Sequence, residues 1–147
     1  MTFGESVKTC FRKYAVFKGR ASRSEFWYFT LFNFLVCLLI ALLASPIILW
    51  NIFSYLLVLY PLYLLYSLVV FLPSLAVSVR RFHDIGKSGW WILVAYVPTI
   101  LSSVCQGYDV LVIYLLSILS FVLIIALIIF LLTKSQKGEN EYGPMPE

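Results

Sequence analysis

The chain has 147 residues, 62% apolar and only 12% charged, with a formal net charge of +4. A water-soluble domain of this size cannot bury so much apolar surface, so lipid is the solvent for most of it. The reading is a single all-α membrane domain over residues 1–147, with neither a nucleic-acid partner nor a cofactor expected.

Residues 3–17 read as an amphipathic helix. Phe3, Val7, Cys10, Phe11 and Tyr14 share one face, Lys8 and Arg12 the other, which suits a helix lying on the cytosolic leaflet. The segment 1–25 is mostly polar or mixed and no cleavage pattern follows it, so the first span is expected to act as an uncleaved insertion signal. Within Phe17–Phe29, Ser22-x-x-Glu25 matches a capping box, and Phe26, Trp27 and Tyr28 suit an interfacial aromatic belt.

Four apolar runs follow: Phe26–Trp50, Ile52–Val79, Trp90–Val104 and Val110–Leu132. At ~1.5 Å per residue, about 20 residues cross the ~30 Å hydrocarbon core. The third run is short and carries Pro98, so it either crosses with local thinning or is re-entrant; four spans is the preferred reading. Pro61 and Pro73 are expected to kink the second span, with Ser67, Ser74 and Ser78 as candidate partners for the freed carbonyls. Asn33 is expected to make a helix–helix hydrogen bond.

Lys8, Arg12, Lys13, Lys18, Arg20 and Arg23 precede the first span. Arg80, Arg81 and Lys87 lie between the second and third, and Lys134 and Lys137 follow the fourth. The connections around Ser45–Asn51 and Ser103–Asp109 hold no cation. Four spans with both termini cytoplasmic put every cation on the cytosolic side of the membrane.

The stretch "VRRFHDIGKSGWW", Val79–Trp91, contains the only histidine. Arg80 and Asp84 are four apart and can pair, Gly86 suits a helix end, Ser88 can cap the next helix, and Trp90 and Trp91 can anchor it. "GKS" lacks both the upstream glycine and the preceding strand of a phosphate-binding loop. His83 has no second histidine with which to build a zinc site. Cys10, Cys37 and Cys105 read as small apolar residues, not as a disulfide framework. The tail from Lys137 to Glu147 reads as extended. If it folds under the loops, Glu139 and Glu141 would meet cations.

In this topology the first and third spans open their positive dipole ends at the cytosolic face, beside arginines whose forks suit phosphate oxygens. The candidate ligand set is Arg20, Arg23, Glu25, Arg80, Arg81, His83, Asp84 and Lys87, for an anionic lipid headgroup or a partner membrane protein. The competing structural reading pairs these cations with Glu25, Asp84 and the acidic tail. Three functions are weighed. The first is a non-enzymatic binding module. The second is a transporter, against which the spans carry no Asp, Glu, Lys, Arg or His; a neutral-solute or lipid-moving role as a homo-oligomer stays open. The third is a headgroup-modifying enzyme with His83 as base, oriented by Asp84 or Glu25, but with no nucleophile or metal in view. The first is the leading expectation.

The motifs "FKGRASRSEFW", "RRFHDIGKSGWW" and "GENEYGP" together resemble the bacterial family catalogued as domain of unknown function 805, in order and spacing over nearly the whole chain. The resemblance implies a small helical inner-membrane protein. Its first pattern falls on Gly19, Arg20, Arg23, Glu25, Phe26 and Trp27, and its second on Arg80, Arg81, His83 and Asp84. Its tail pattern falls on Gly138, Asn140, Tyr142, Gly143 and Pro144, with Glu141 where a basic residue is common. It implies location and fold, not a mechanism.

Overall fold

A computed structural model of the protein describes residues 1–50, 55–104 and 110–146. The described regular elements are helical: α1 (Phe3–Arg12), α2 (Arg23–Trp50), a π turn (Tyr55–Leu59) running into α3 (Tyr60–Asp84), α4 (Trp91–Val104) and α5 (Val110–Leu132). Three of the described helices are long and apolar enough to cross a membrane, and α4 is a shorter apolar helix. Of the connections expected around Ser45–Asn51 and Ser103–Asp109, the first is helical as far as Trp50, because the apolar run continues through it; residues 51–54 and 105–109, with Cys105, Tyr108 and Asp109, lie outside the described residues. The chain divides into two compact units, residues 1–17 with 24–77, and residues 18–23 with 78–147.

In the first unit, α1 opens on a capping box that the sequence carries as Thr2-x-x-Glu5. The Thr2 amide donates to Glu5 Oε2 at 2.8 Å and the Glu5 amide to Thr2 Oγ1 at 3.4 Å. These bonds, the Thr2 amide first and its hydroxyl second, hold the Glu5 carboxyl below its ordinary value. The folded value is the lower one, so the box supports α1 above the ordinary glutamate range. That support is lost as pH falls through the lowered value. Amide protection at Glu5 and Ser6 is therefore expected to drop on acidification, and the drop should vanish in Glu5→Gln.

The helix ends at Arg12, five residues before the expected boundary. Its apolar face packs on α2. Phe3 meets Tyr28 edge-on at 6.1 Å, Phe11 meets Phe29 and Phe32 at 5.6 and 6.1 Å, and buried Ser6 reaches the Ser24 carbonyl. The face read as lipid-directed is thus largely an internal seam, because α2 offers aromatic rings at matching positions.

α2 begins at Arg23, the residue after Ser22. Asn33 fixes its pairing with α3: Tyr66 donates to Asn33 Oδ1 at 2.7 Å, while Asn33 Nδ2 returns to the Phe29 carbonyl. The π turn falls immediately before Pro61. A wider turn there relieves the clash between a proline ring and the carbonyl four residues back.

Pro73 sits buried inside α3 and leaves the Val69 carbonyl without its ladder donor. Of the serines expected to serve such carbonyls, Ser67 bonds the Leu64 carbonyl instead. Tyr14, just past α1, donates its hydroxyl to the Val69 carbonyl at 2.6 Å. That hydroxyl supplies the donor that the proline lacks. Tyr14→Phe is expected to lower stability by about 1–3 kcal/mol, read as a lower midpoint of thermal unfolding in detergent.

In the second unit α3 continues to Asp84, past the Val79 boundary expected for its span. It stops in a Schellman motif. The Lys87 amide donates to the Phe82 carbonyl at 2.9 Å and the Gly86 amide to the His83 carbonyl at 3.0 Å, with Gly86 at φ 71°. A side chain at Gly86 would also run into Gln136. Gly89 is required by proximity, since an added Cβ would lie 2.7 Å from Val79 Cγ1. Ser88 Oγ accepts from the Trp90 amide at 3.4 Å and α4 follows.

α4 and α5 pack along each other. Trp91 meets Phe130 edge-on at 6.0 Å, and Thr99 bonds Ser120 at 3.1 Å. Ser120 is the buried residue of α5, whose other serine, Ser117, is exposed and bonds its own helix, so the pair supplies a polar tie between the helices.

Candidate functional site

The site lies within the second unit, where three segments far apart in sequence converge: residues 18–23 before α2, the end of α3, and the tail after α5. The carbonyls at the end of a helix have spare acceptor capacity, and here the other segments donate to it. The Ala21 amide donates to the Arg80 carbonyl at 3.0 Å, the Gln136 amide to the Asp84 carbonyl at 3.0 Å, and Asn140 Nδ2 to the His83 carbonyl at 2.9 Å.

A charged triad occupies the centre. Asp84 is fully buried, and its two oxygens are divided between two arginines. Arg20 Nε donates to Oδ1 at 3.0 Å, and Arg81 Nη1 pairs with Oδ2. The i, i+4 pair expected between Arg80 and Asp84 therefore gives way to Arg81 one position on and to Arg20 from 64 positions upstream. The reason is geometric: both guanidiniums reach the carboxylate and also reach backbone carbonyls beyond it.

Arg20 places Nη1 2.6 Å from the Gly138 carbonyl and 3.3 Å from that of Gly143, and Nη2 2.5 Å from that of Gln136. Arg81 donates from Nε to the Leu131 carbonyl at 3.1 Å and from Nη2 to that of Thr133. It thereby caps the carboxyl end of α5, where a cation also meets the negative end of the helix dipole. The planar five-donor fork is what lets one side chain serve a carboxylate and two carbonyls together.

His83 is half-buried beside the triad. Its Nδ1 lies 3.2 Å from the Gly19 carbonyl, which can only accept, so Nδ1 carries the hydrogen. The ring stacks on Tyr142 at 3.9 Å and 4°. Tyr142 is set by a local turn in which its amide donates to Asn140 Oδ1 and the Asn140 and Gly143 backbones pair. The tail is not loosely extended: it docks through carbonyls and a ring, while Glu139 and Glu141 stay exposed.

The remaining candidates divide by exposure. Arg80 is buried like Arg81, and Glu25 in the first unit is buried with Cys10 Sγ 4.0 Å from its carboxylate. Lys87 stands over the rings of Trp91 and Phe130 at 5.5 and 4.7 Å, a cation–π seat. Arg23 is exposed, as are Lys18, Lys134 and Lys137. Among the described residues no cluster of His, Cys, Asp and Glu could hold a metal ion. Asp84 is engaged with arginines and the Nδ1 of His83 with a carbonyl, so no carboxylate orients this imidazole as a catalytic base.

The geometry thus joins Arg20, Arg81, His83 and Asp84. The residues that residue-by-residue reasoning missed are Gln136, Gly138, Asn140, Tyr142 and Gly143. Most of these act through backbone carbonyls, which leave no trace in side-chain chemistry. The glycine-rich "GENEYGP" was their signal.

The family model described as "Protein of unknown function (DUF805)" matches residues 14–144. Inner membrane protein YhaI of Escherichia coli strain K12 is 34% identical over 136 residues, covering 92% of this chain and 90% of the relative. Inner membrane protein YhaH of the same strain is 30% identical over 136 residues, with 92% and 91% covered. No solved structure matches the chain.

Proposed function

The chain belongs to the DUF805 family, and on that premise we propose that it is a non-catalytic, four-span module of the bacterial inner membrane whose cytosolic face binds anionic lipid headgroups. Both termini lie in the cytosol in this reading, and α1 rests at the interface with Lys8 and Arg12 exposed.

Its relatives are inner membrane proteins and its helices suit a bilayer. Contacts within the second unit support the topology. Arg20 before α2, Asp84 at the end of α3 and Gln136 after α5 touch one another, which favours an even number of crossings between each and the next. With α5 crossing, this reading has α4 cross too. At 14 residues it is about 21 Å long, and a locally thinned bilayer accommodates it.

The observation that carries the binding function is the division of labour among the cations. Arg20 and Arg81 are engaged in an internal join, whereas Lys18, Arg23, Lys134 and Lys137 stay exposed on the segments that the join ties together. Held on an ordered surface, such cations attract anionic headgroups by about 1 kcal/mol each.

The test is native mass spectrometry of protein extracted in mild detergent. Replacing Lys18, Arg23, Lys134 and Lys137 together by glutamine is expected to remove co-purifying phosphatidylglycerol and cardiolipin while the unfolding midpoint holds. Unchanged lipid content in that variant refutes the function, and a periplasmic reporter signal from the C-terminus refutes the topology.

A further inference from the structure

Three features of the join stand out once the tail is treated as a ligand of Arg20. Its hold on the guanidinium is made of neutral backbone oxygens: Gln136, Gly138 and Gly143 converge on the two terminal nitrogens, all within 3.3 Å. Three oxygens gathered on the Nη edge of one arginine fork is the arrangement a phosphate group offers. The charges beneath do not balance within the triad, where two buried guanidiniums face the single carboxylate of Asp84. The tail brings two carboxylates of its own, Glu139 and Glu141, yet both remain exposed. Finally, the tail is attached lightly for its length. Besides those carbonyls it is held by the His83–Tyr142 stack, the Asn140 bond to the His83 carbonyl and the Gln136 amide.

We infer that residues 138–146 are a displaceable strap, and that a phosphate group takes the place of the Gly138 and Gly143 carbonyls on Arg20 when the strap lifts. Gly138, at φ 78°, gives the chain the bend on which the strap turns away from Gln136. Arg81 stays in place, because its carbonyl partners Leu131 and Thr133 precede the strap, and Asp84 stays paired with it. Lifting also unstacks Tyr142 from His83 and exposes the imidazole beside Arg20. The strap therefore competes with ligand, and its position reports occupancy. This rests on the reading of the face as a headgroup-binding surface and adds a second, covered site to it.

The first measurement is hydrogen exchange on the intact protein in micelles of dodecyl maltoside, which holds no phosphate, with or without phosphatidylglycerol, and separately with inorganic phosphate. Amides of 140–143 are expected to exchange about tenfold faster when the matching phosphate source is present. Acceleration by phosphatidylglycerol alone identifies a lipid headgroup, and acceleration by inorganic phosphate identifies a soluble ligand. Equal exchange under all three conditions overturns the proposal.

The second measurement uses a chain ended after Lys137, which keeps Lys134 and Lys137. It is expected to retain one more phosphatidylglycerol per chain than the full-length protein in native mass spectra, and Arg20→Lys in the shortened chain should lose that lipid. A gain that survives Arg20→Lys overturns the proposal. If the shortened chain does not fold, Tyr142→Ala in the full chain serves instead. The two readings fail separately. Loss of lipid on neutralising the exposed cations, with no gain on shortening, leaves the surface and removes the covered site. The reverse pattern leaves the covered site and removes the surface.

Discussion

Asp84→Ala is expected to lower stability by about 3–5 kcal/mol, the scale for breaking a buried ion pair by removing one partner. The size follows from what stays behind. Arg20 and Arg81 keep their carbonyl partners but lose the negative charge between them, and neither is accessible to water. Two like charges then face each other in a poorly solvated site. Asp84→Asn preserves shape and one acceptor yet lacks the charge, so it should fall nearly as far. Exposed Glu139→Ala and Glu141→Ala remove the same charge at the surface and should change stability by less than about 0.5 kcal/mol. Unfolding midpoints in detergent, compared across the four variants, make the check. An Asp84→Ala protein as stable as the parent would show that the triad does not hold the segments together.

Arg81→Leu is the second large effect, again about 3–5 kcal/mol, with a different signature. Arg81 joins Asp84 to the Leu131 and Thr133 carbonyls. Its loss leaves the last turn of α5 uncapped as well as one carboxylate oxygen bare. Fraying should concentrate there, so protection of amides near Thr133 should fall more than in Asp84→Ala. Lysine should not rescue it, since a point charge cannot meet three acceptors that lie in different directions. The double variant should lose less than the two singles combined, with a coupling of about 0.5–3 kcal/mol. Strict additivity would mean that the side chains act independently.

The parts of the fold that rest on hydropathy were legible in the sequence. Three of the apolar runs fall on helices long and apolar enough to cross a membrane, and Trp90–Val104 falls on the shorter α4. Gly86 and Ser88 behaved as helix punctuation because their roles are local. Asn33 found a partner on the neighbouring helix for the reason polar groups in lipid must. What escaped was long-range. Nothing near Pro73 indicates that Tyr14, 55 positions upstream of Val69, closes the gap it leaves. In the site, Asp84 was matched to Arg80 by helical spacing, a rule that weighs only neighbours along one helix. Burial reversed the choice, because a buried carboxylate takes whichever donors are themselves satisfied on the far side. The tail's part was hidden for the same reason: its carbonyls belong to every residue alike, and only its glycines and the resemblance hinted that they are aimed.

The Arg20 to Gly138 bond spans 118 positions and so carries a consequence for biogenesis. Arg20 is synthesised before every oxygen that coordinates it. Asp84 follows 64 positions later, and the Gln136, Gly138 and Gly143 carbonyls 116 to 123 positions later. The ion pair with the end of α3 can therefore form before the tail exists, and the tail then closes on an arginine that is already held.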